Sequence, residues 1–249
     1  MKGLKMNLLP KKLETDLILS AIFELRFSSK IPSEAIFGMC YQVVAKKYPG
    51  VGAVRLPITQ LPDVVRDSDP NLMYQPHHHL DIDGRGVGIG PKSIQFSVQK
   101  PYIGWLKWSN FILELLPDFI KLDIFENIER TGLRYLNFTE KNLSATAKMN
   151  ISIGSVTITH QPMTFRAEIQ EKDHTVVLNL INNAIVEVPP SNRLLGSVID
   201  IDVFKEVNTS ATTFQGNAEE ILNRSHEIEK KLFFEMLQPD FIATLGPSY

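Results

Sequence analysis

His77, His78 and His79 run into Leu80, Asp81, Ile82 and Asp83, and in an extended chain alternation puts His77, His79, Asp81 and Asp83 on one face. Imidazole and carboxylate donors together suit zinc or another divalent ion, which would make the chain a metal-dependent hydrolase. Neighbouring residues of one strand make a poor tetrahedral cage, however, and the sequence offers no clear distant fourth ligand. An exposed polar strand face is the reading set against the metal site. Gly84-Arg85-Gly86-Val87-Gly88 follows, but it lacks the lysine and Ser/Thr of a phosphate-binding loop, and no helix opens directly after it. Asp83-Gly84 suits a hairpin turn better.

Arg134 is the second candidate. It stands in the middle of a β-rich stretch, 129–139, where a guanidinium is costly to desolvate unless a carboxylate or several carbonyls receive it. Glu24, Asp200 and Asp202 are its candidate partners, each on another predicted strand, and Asp200 and Asp202 share a face. Two readings follow: a paired arginine that holds the sheet together, or an anchor for a ligand anion. Asn137 reads as a buried amide with satisfied hydrogen bonds. Together with Trp105 on the preceding helix, Arg134, Asn137, Asp200 and Asp202 form the candidate binding set.

Other reactive types fall on structural positions. Cys40 sits in the apolar stripe of a helix and reads as an inert core thiol. His226 lies on the last helix as a polar boundary residue, with no nucleophile tied to it. There is no Gly-x-Ser-x-Gly elbow, no paired-histidine zinc helix, no Walker lysine and no cysteine with an evident histidine partner. No catalytic residue and no cofactor are therefore assigned.

The elements that must position these residues centre on 101–140. Trp105, Trp108, Ile112, Leu115 and Phe119 recur at spacings of three and four, thickened by Tyr102, Leu106, Leu113 and Leu116, so this helix must be covered on more than one side. Pro101 suits its first turn, and Pro117 is expected to kink it or end it near Leu116. The following strand, 129–139, reads as interior. Before it come a strand over 17–27, a helix from Ser33 to about Tyr48, a short strand within 51–58, and a Pro-punctuated, mobile excursion over 57–76. Val87, Ile89, Ile94, Phe96 and Val98 make the return strand of the hairpin.

After a polar link over 141–148, strands are expected over 150–160, 163–170 and 175–182, then over 195–207. A polar loop over 208–216 leads to a helix capped by Asn217 with Glu220 in a capping box, closed by Pro239. The pattern predicts an α+β fold, mainly antiparallel sheets packed against three principal helices. Its N-terminal half, 1–140, and its C-terminal meander and helix, 141–249, share one core. Strand then Pro-terminated helix occurs in both, an order compatible with two related halves.

Gly132-Leu133-Arg134-Tyr135-Leu136-Asn137, preceded by Pro101-Tyr102-Ile103-Gly104-Trp105, resembles a sporadically distributed, uncharacterised bacterial protein family of similar length. The early Ala21-Ile22-Phe23-Glu24-Leu25-Arg26-Phe27 strand and the late helix over 226–234 are similar to that family's pattern, so the resemblance covers most of the chain. It implies a fold family and carries over no catalytic residues.

The whole chain sets the remaining bounds. Its 249 residues can bury a substantial core, and 43% hydrophobic with 22% charged residues is ordinary globular composition. Twenty-six basic against 28 acidic residues leave a net charge of −2, which argues against a general nucleic-acid surface. Charge is uneven: from Asp200 onward nine acidic residues face four basic ones, net −5, so the rest carries +3. A single cysteine excludes an intrachain disulfide and points to a reducing, cytoplasmic setting. The apolar run over 17–23 is too short to span a bilayer, and no targeting segment is apparent. These features fit a non-catalytic interaction or ligand-binding protein, a component of a bacterial two-protein system. Its partner would be another protein, and a homo-oligomer is compatible with the sequence.

Overall fold

Alternation decides the architecture. In the strand Ile18–Ser29, Ala21, Phe23, Leu25 and Phe27 are buried, while Ser20, Ile22, Glu24 and Arg26 keep part of their surface in solvent. A period of two with one apolar face demands cover on that face alone. The computed structural model, which describes residues 9–188 and 192–249, meets the demand with an antiparallel sheet faced by helices on one side.

In chain order the elements are β1 (Lys12–Leu13), β2 (Ile18–Ser29), α1 (Ser33–Lys47), β3 (Ala53–Arg55), α2 (Asp63–Ser68), β4 (His78–Ile82), β5 (Arg85–Ile89) and β6 (Ser93–Gln99). Then follow α3 (Trp105–Ile120), β7 (Phe125–Thr139), α4 (Leu143–Thr146), β8 (Ile151–Ile153), β9 (Val156–Ile158), β10 (Met163–Glu171) and β11 (His174–Val188). The chain closes with β12 (Asn192–Thr209), α5 (Ala211–Met236), α6 (Pro239–Thr244) and β13 (Pro247–Ser248).

Nine strands form one sheet in the order β10-β11-β12-β7-β2-β6-β5-β4-β3, every neighbouring pair antiparallel. The protein is therefore of the α+β class, with α1, α3 and α5 as its principal helices. The β12–β7 pairing, from Ser197 opposite Thr139 to Thr209 opposite Ile128, carries the sheet from one half of the chain to the other. On the helix side, α1, α3 and the first half of α5 pack on β2 and β4 to β7 around Trp108, Phe111, Phe96 and Tyr135. The rest of α5, with α6, packs on β11 and β12 around Leu178, Ile201 and Phe233. No helix among the described residues is long and apolar enough to cross a membrane.

Several boundaries differ from the sequence expectation. Pro101 lies outside the helix: its peptide bond with Lys100 is cis, and Gly104, at φ 89°, caps α3. Pro117 does not end α3, which runs on to Ile120. Phe119 is fully buried and Ile120 nearly so, and their packing holds the last turn. Nor is α3 covered all round, because Leu106 is 73% exposed. The 57–76 excursion contains a 3₁₀ turn, Pro57–Gln60, and α2, and the expected single return strand is two strands, β5 and β6. The 150–160 segment is likewise a hairpin, β8 with β9. The start of α5 lies at Ala211: Ser210 is its cap, accepting from the Thr213 N–H at 3.2 Å, so neither the loop to Gly216 nor the Asn217 cap is present.

Candidate functional site

β7 is an interior strand with one neighbour on each side, β2 and β12, and its consecutive residues go to opposite faces. Tyr135 goes to the helices and Arg134 to the other face, which no principal helix covers. That second face gathers charge in register. Gly132 lies opposite Glu24 on β2 and opposite Phe204 on β12, while Arg134 lies opposite Ile22 and Asp202.

The side chains form two adjacent hydrogen-bonded groups that together span five strands. Arg134 donates from Nε and Nη2 to the two carboxylate oxygens of Asp200 at 2.7 and 2.8 Å, a bidentate pair, and Asn179 Nδ2 adds a third bond to Asp200 at 3.1 Å. Arg130 bridges Glu24 at 3.0 Å and Asp202 at 3.1 Å. Glu24 also receives Arg26 Nε at 2.5 Å and Gln95 Nε2 at 2.9 Å. Three arginines thus meet three carboxylates. Aromatic rings cover two of the cations: Arg130 lies 4.1 Å from the Phe204 ring centre and Arg26 4.2 Å from that of Tyr74. The Asp200 bonds raise the Arg134 pKa further, and burial pushes Asp202 above the usual carboxylate range although Arg130 sits beside it.

Of the three candidate partners of Arg134, Asp200 receives it. The expectation of a deeply buried guanidinium is corrected: its side chain is 51% exposed, whereas Asp200 is 5% exposed. An interior strand has neighbours at both edges, and that leaves one of its faces free to be wet. Asp202 belongs to Arg130 instead. Asn137 is buried and donates to the Ile199 carbonyl at 3.3 Å. Trp105 is not part of this face, because it stacks on His226 on the helix side, ring centres 3.9 Å apart. Arg130 and Arg26 escaped the sequence reading, although a spacing of four in a strand puts Arg130 on the face of Arg134, matching Asp200 and Asp202 across β12.

Replacing Arg134 with alanine leaves the Asp200 carboxylate buried with only the Asn179 amide. Urea unfolding should show a loss of about 2 kcal/mol, below the full value for a buried pair because the guanidinium is half in water. Adding Asp200→Asn to the alanine variant should recover part of it. A loss under about 0.5 kcal/mol would show that the pair does not hold the sheet.

The histidine stretch does not assemble a metal cage. His77 precedes β4, His79 lies over Gly86, Asp81 accepts the Gly84 N–H at 3.3 Å, and Asp83 turns the hairpin at φ 52° with Arg85 3.8 Å away. His78 has the opposite parity and stacks on Phe37, ring centres 3.7 Å apart. Among the described residues no three His, Cys, Asp or Glu side chains come together to hold a metal. The glycines serve packing: a Cβ on Gly86 would meet His79 and Ser97, and one on Gly88 would meet Pro76 at 3.0 Å. Their spacing of two is strand periodicity, with the end of the 57–76 excursion laid against them.

On the helix side of β7 lies a second cluster that the sequence did not reveal. The Tyr102 and Tyr135 hydroxyls are 3.0 Å apart, and Tyr135 Oη lies 3.4 Å from His226 Nδ1. Burial holds His226 neutral, its pKa pushed down to about 3, and raises that of Glu229, one turn further on α5, to about 8. Trp108, fully buried, has no partner for its indole N–H among the described residues. Two clefts, about 400 and 510 Å³, flank α5 on this side, the larger lined by His174, Lys205, Thr213 and Arg224.

No protein-family model matches the chain, and neither does any curated protein sequence.

Proposed function

We propose that the protein is a non-catalytic interaction protein of the bacterial cytoplasm. It would bind another protein through the face of its sheet that no principal helix covers, as one component of a two-protein system. The observation that carries this reading is the ion network itself. Arg134 is half exposed yet fixed by two bonds to a buried carboxylate, so its donors are ordered before any partner arrives and little side-chain entropy remains to be lost. Ile22, Leu136 and Phe204 stand among the charges as half-buried apolar contacts. Broad, ordered and mixed in polarity, such a face suits a protein surface, with the arginine as anchor. The single buried thiol of Cys40, its pKa pushed up to about 12, fits a reducing compartment and no nucleophilic role. The resemblance carried by residues 101–105 and 132–137 supports a family defined by its fold.

Mixing with the products of adjacent genes tests the reading. A stoichiometric complex that slows amide exchange in β2, β7 and β12 is the expected result. A protein that forms no complex with any of them and turns over a small molecule overturns it, as does a complex that protects only α5.

A further inference from the structure

β10 is one edge of the nine-stranded sheet. Its inner side pairs with β11 without a break, from Met163 opposite Asn182 to Glu171 opposite His174. Lys172 and Asp173 form a two-residue turn, with Lys172 at φ 58°, so Glu171 and His174 are the closing hydrogen-bonded pair. Counting back by twos, Met163, Phe165, Ala167, Ile169 and Glu171 spend their backbone groups on β11. Thr164, Arg166, Glu168 and Gln170 turn their N–H and C=O groups to the free edge. No further backbone hydrogen bond reaches residues 163–171 among the described residues. Of the seven residues 164–170, only Ala167 is not exposed, and Phe165 and Ile169 are among the exposed large apolar residues of the molecule.

An open edge of this length is a template for another strand, and side-chain chemistry decides which strand fits. A second copy of β10, laid antiparallel about a two-fold axis at Ala167, sets Arg166 opposite Glu168 of its partner and Glu168 opposite Arg166. Phe165 then faces Ile169 in both directions, and Thr164 faces Gln170. The smallest side chain of the strand falls on the axis, and every outward backbone group meets another. Sliding by two residues either way puts Arg166 on Arg166 or Glu168 on Glu168, so charge selects the one register. Within each strand Arg166 Nη2 already lies 2.5 Å from Glu168 Oε1, and the pairing would close two such contacts into a four-charge ring.

We propose that the protein forms a two-fold symmetric dimer by antiparallel pairing of β10 with β10 of a second copy, centred on Ala167, which joins two nine-stranded sheets into one. This interface is separate from the Arg134 face and stands or falls without it.

Light scattering on full-length protein across a concentration series should show the mass rising from 28.2 kDa to twice that value. Glu168→Arg and Arg166→Glu each set like charges across the axis and should weaken dimerisation at least tenfold. The double swap Arg166→Glu with Glu168→Arg rebuilds the ring and should restore it. Under oxidising conditions Ala167→Cys should give a disulfide-linked dimer, because residue 167 faces itself. Thr164→Cys, which faces Gln170, should not. Native Cys40 is fully buried and leaves that readout clean. A monomer at every concentration, or a dimer indifferent to both single charge reversals, overturns the proposal.

Discussion

Replacing Glu229 with glutamine is expected to stabilise the protein at neutral pH by roughly 3 kcal/mol, raising its melting temperature by roughly 6 to 12 °C. Glu229 is 5% exposed, and burial lifts its pKa from 4.5 to about 8, with the Lys230 charge only partly opposing the shift. Tyr102 and Tyr135 feel its charge, and His226, one turn back on α5, is itself held neutral by burial, so none of the three supplies a positive charge. A carboxyl whose folded pKa exceeds its unfolded one favours the fold when protonated, so stability is lost as pH rises from 4.5 to 8. The slope is about 1.4 kcal/mol per pH unit.

His226 acts in the opposite direction. Its pKa is lowered from 6.5 to about 3, so it weakens the fold as pH falls below 6.5. The two slopes oppose each other between pH 4.5 and 6.5, and between 6.5 and 8 Glu229 acts without opposition from His226. Denaturant unfolding from pH 6.5 to 8 should therefore show stability falling with pH in the parent, whereas in Glu229→Gln that fall is absent and only the small rise from the neutral-held histidines remains. Equal slopes in the two proteins would show that the carboxyl is not held neutral.

A second large effect is expected at Gly196. A Cβ there would collide with the Thr139 carbonyl oxygen and stand 2.7 to 2.8 Å from the Phe138 ring. The adjacent Ser197 pairs with Thr139, so β12 and β7 would have to part where the sheet passes between the two halves of the chain. Gly196→Ala should cost about 2 to 4 kcal/mol in urea unfolding. Gly216→Ala is the control. It lies inside α5 with open space around it and should gain about 0.5 to 1 kcal/mol from helix propensity. Equal effects at both glycines would show that the close strand approach does not matter.

Much of the fold is legible in period-two alternation, because burial on one face leaves its mark residue by residue. Ala21, Phe23, Leu25 and Phe27 announce β2, and Asp83-Gly84 announces its turn with positive φ at both positions. What misleads is local chemistry that tertiary packing overrides. Thr212, Thr213, Gln215 and Gly216 look like a loop, yet Phe214 and Ala218, four apart and buried, draw them into α5. Pro117 looks like a stop, yet it falls in the last turn of α3, where one lost N–H bond is outweighed by buried Phe119 and Ile120. The candidate site was half visible. Arg134 and its partner Asp200 could be named from alternation, but the exposure of that face depends on where three helices pack, and that is not written in any one strand. The Tyr102, Tyr135, His226 and Glu229 cluster brings together residues from three parts of the chain, with no spacing to mark it.

The placement of β2 in the middle of the sheet has a kinetic consequence. It is made before its neighbours β6 and β7, which lie about 70 and 110 residues downstream, so it must wait unpaired while they are produced. β10, β11 and β12 are joined by short connections and can zip up on their own timescale. In refolding experiments the C-terminal meander should gain amide protection first, with β2 locking late as the slow, loop-closing event that completes the molecule.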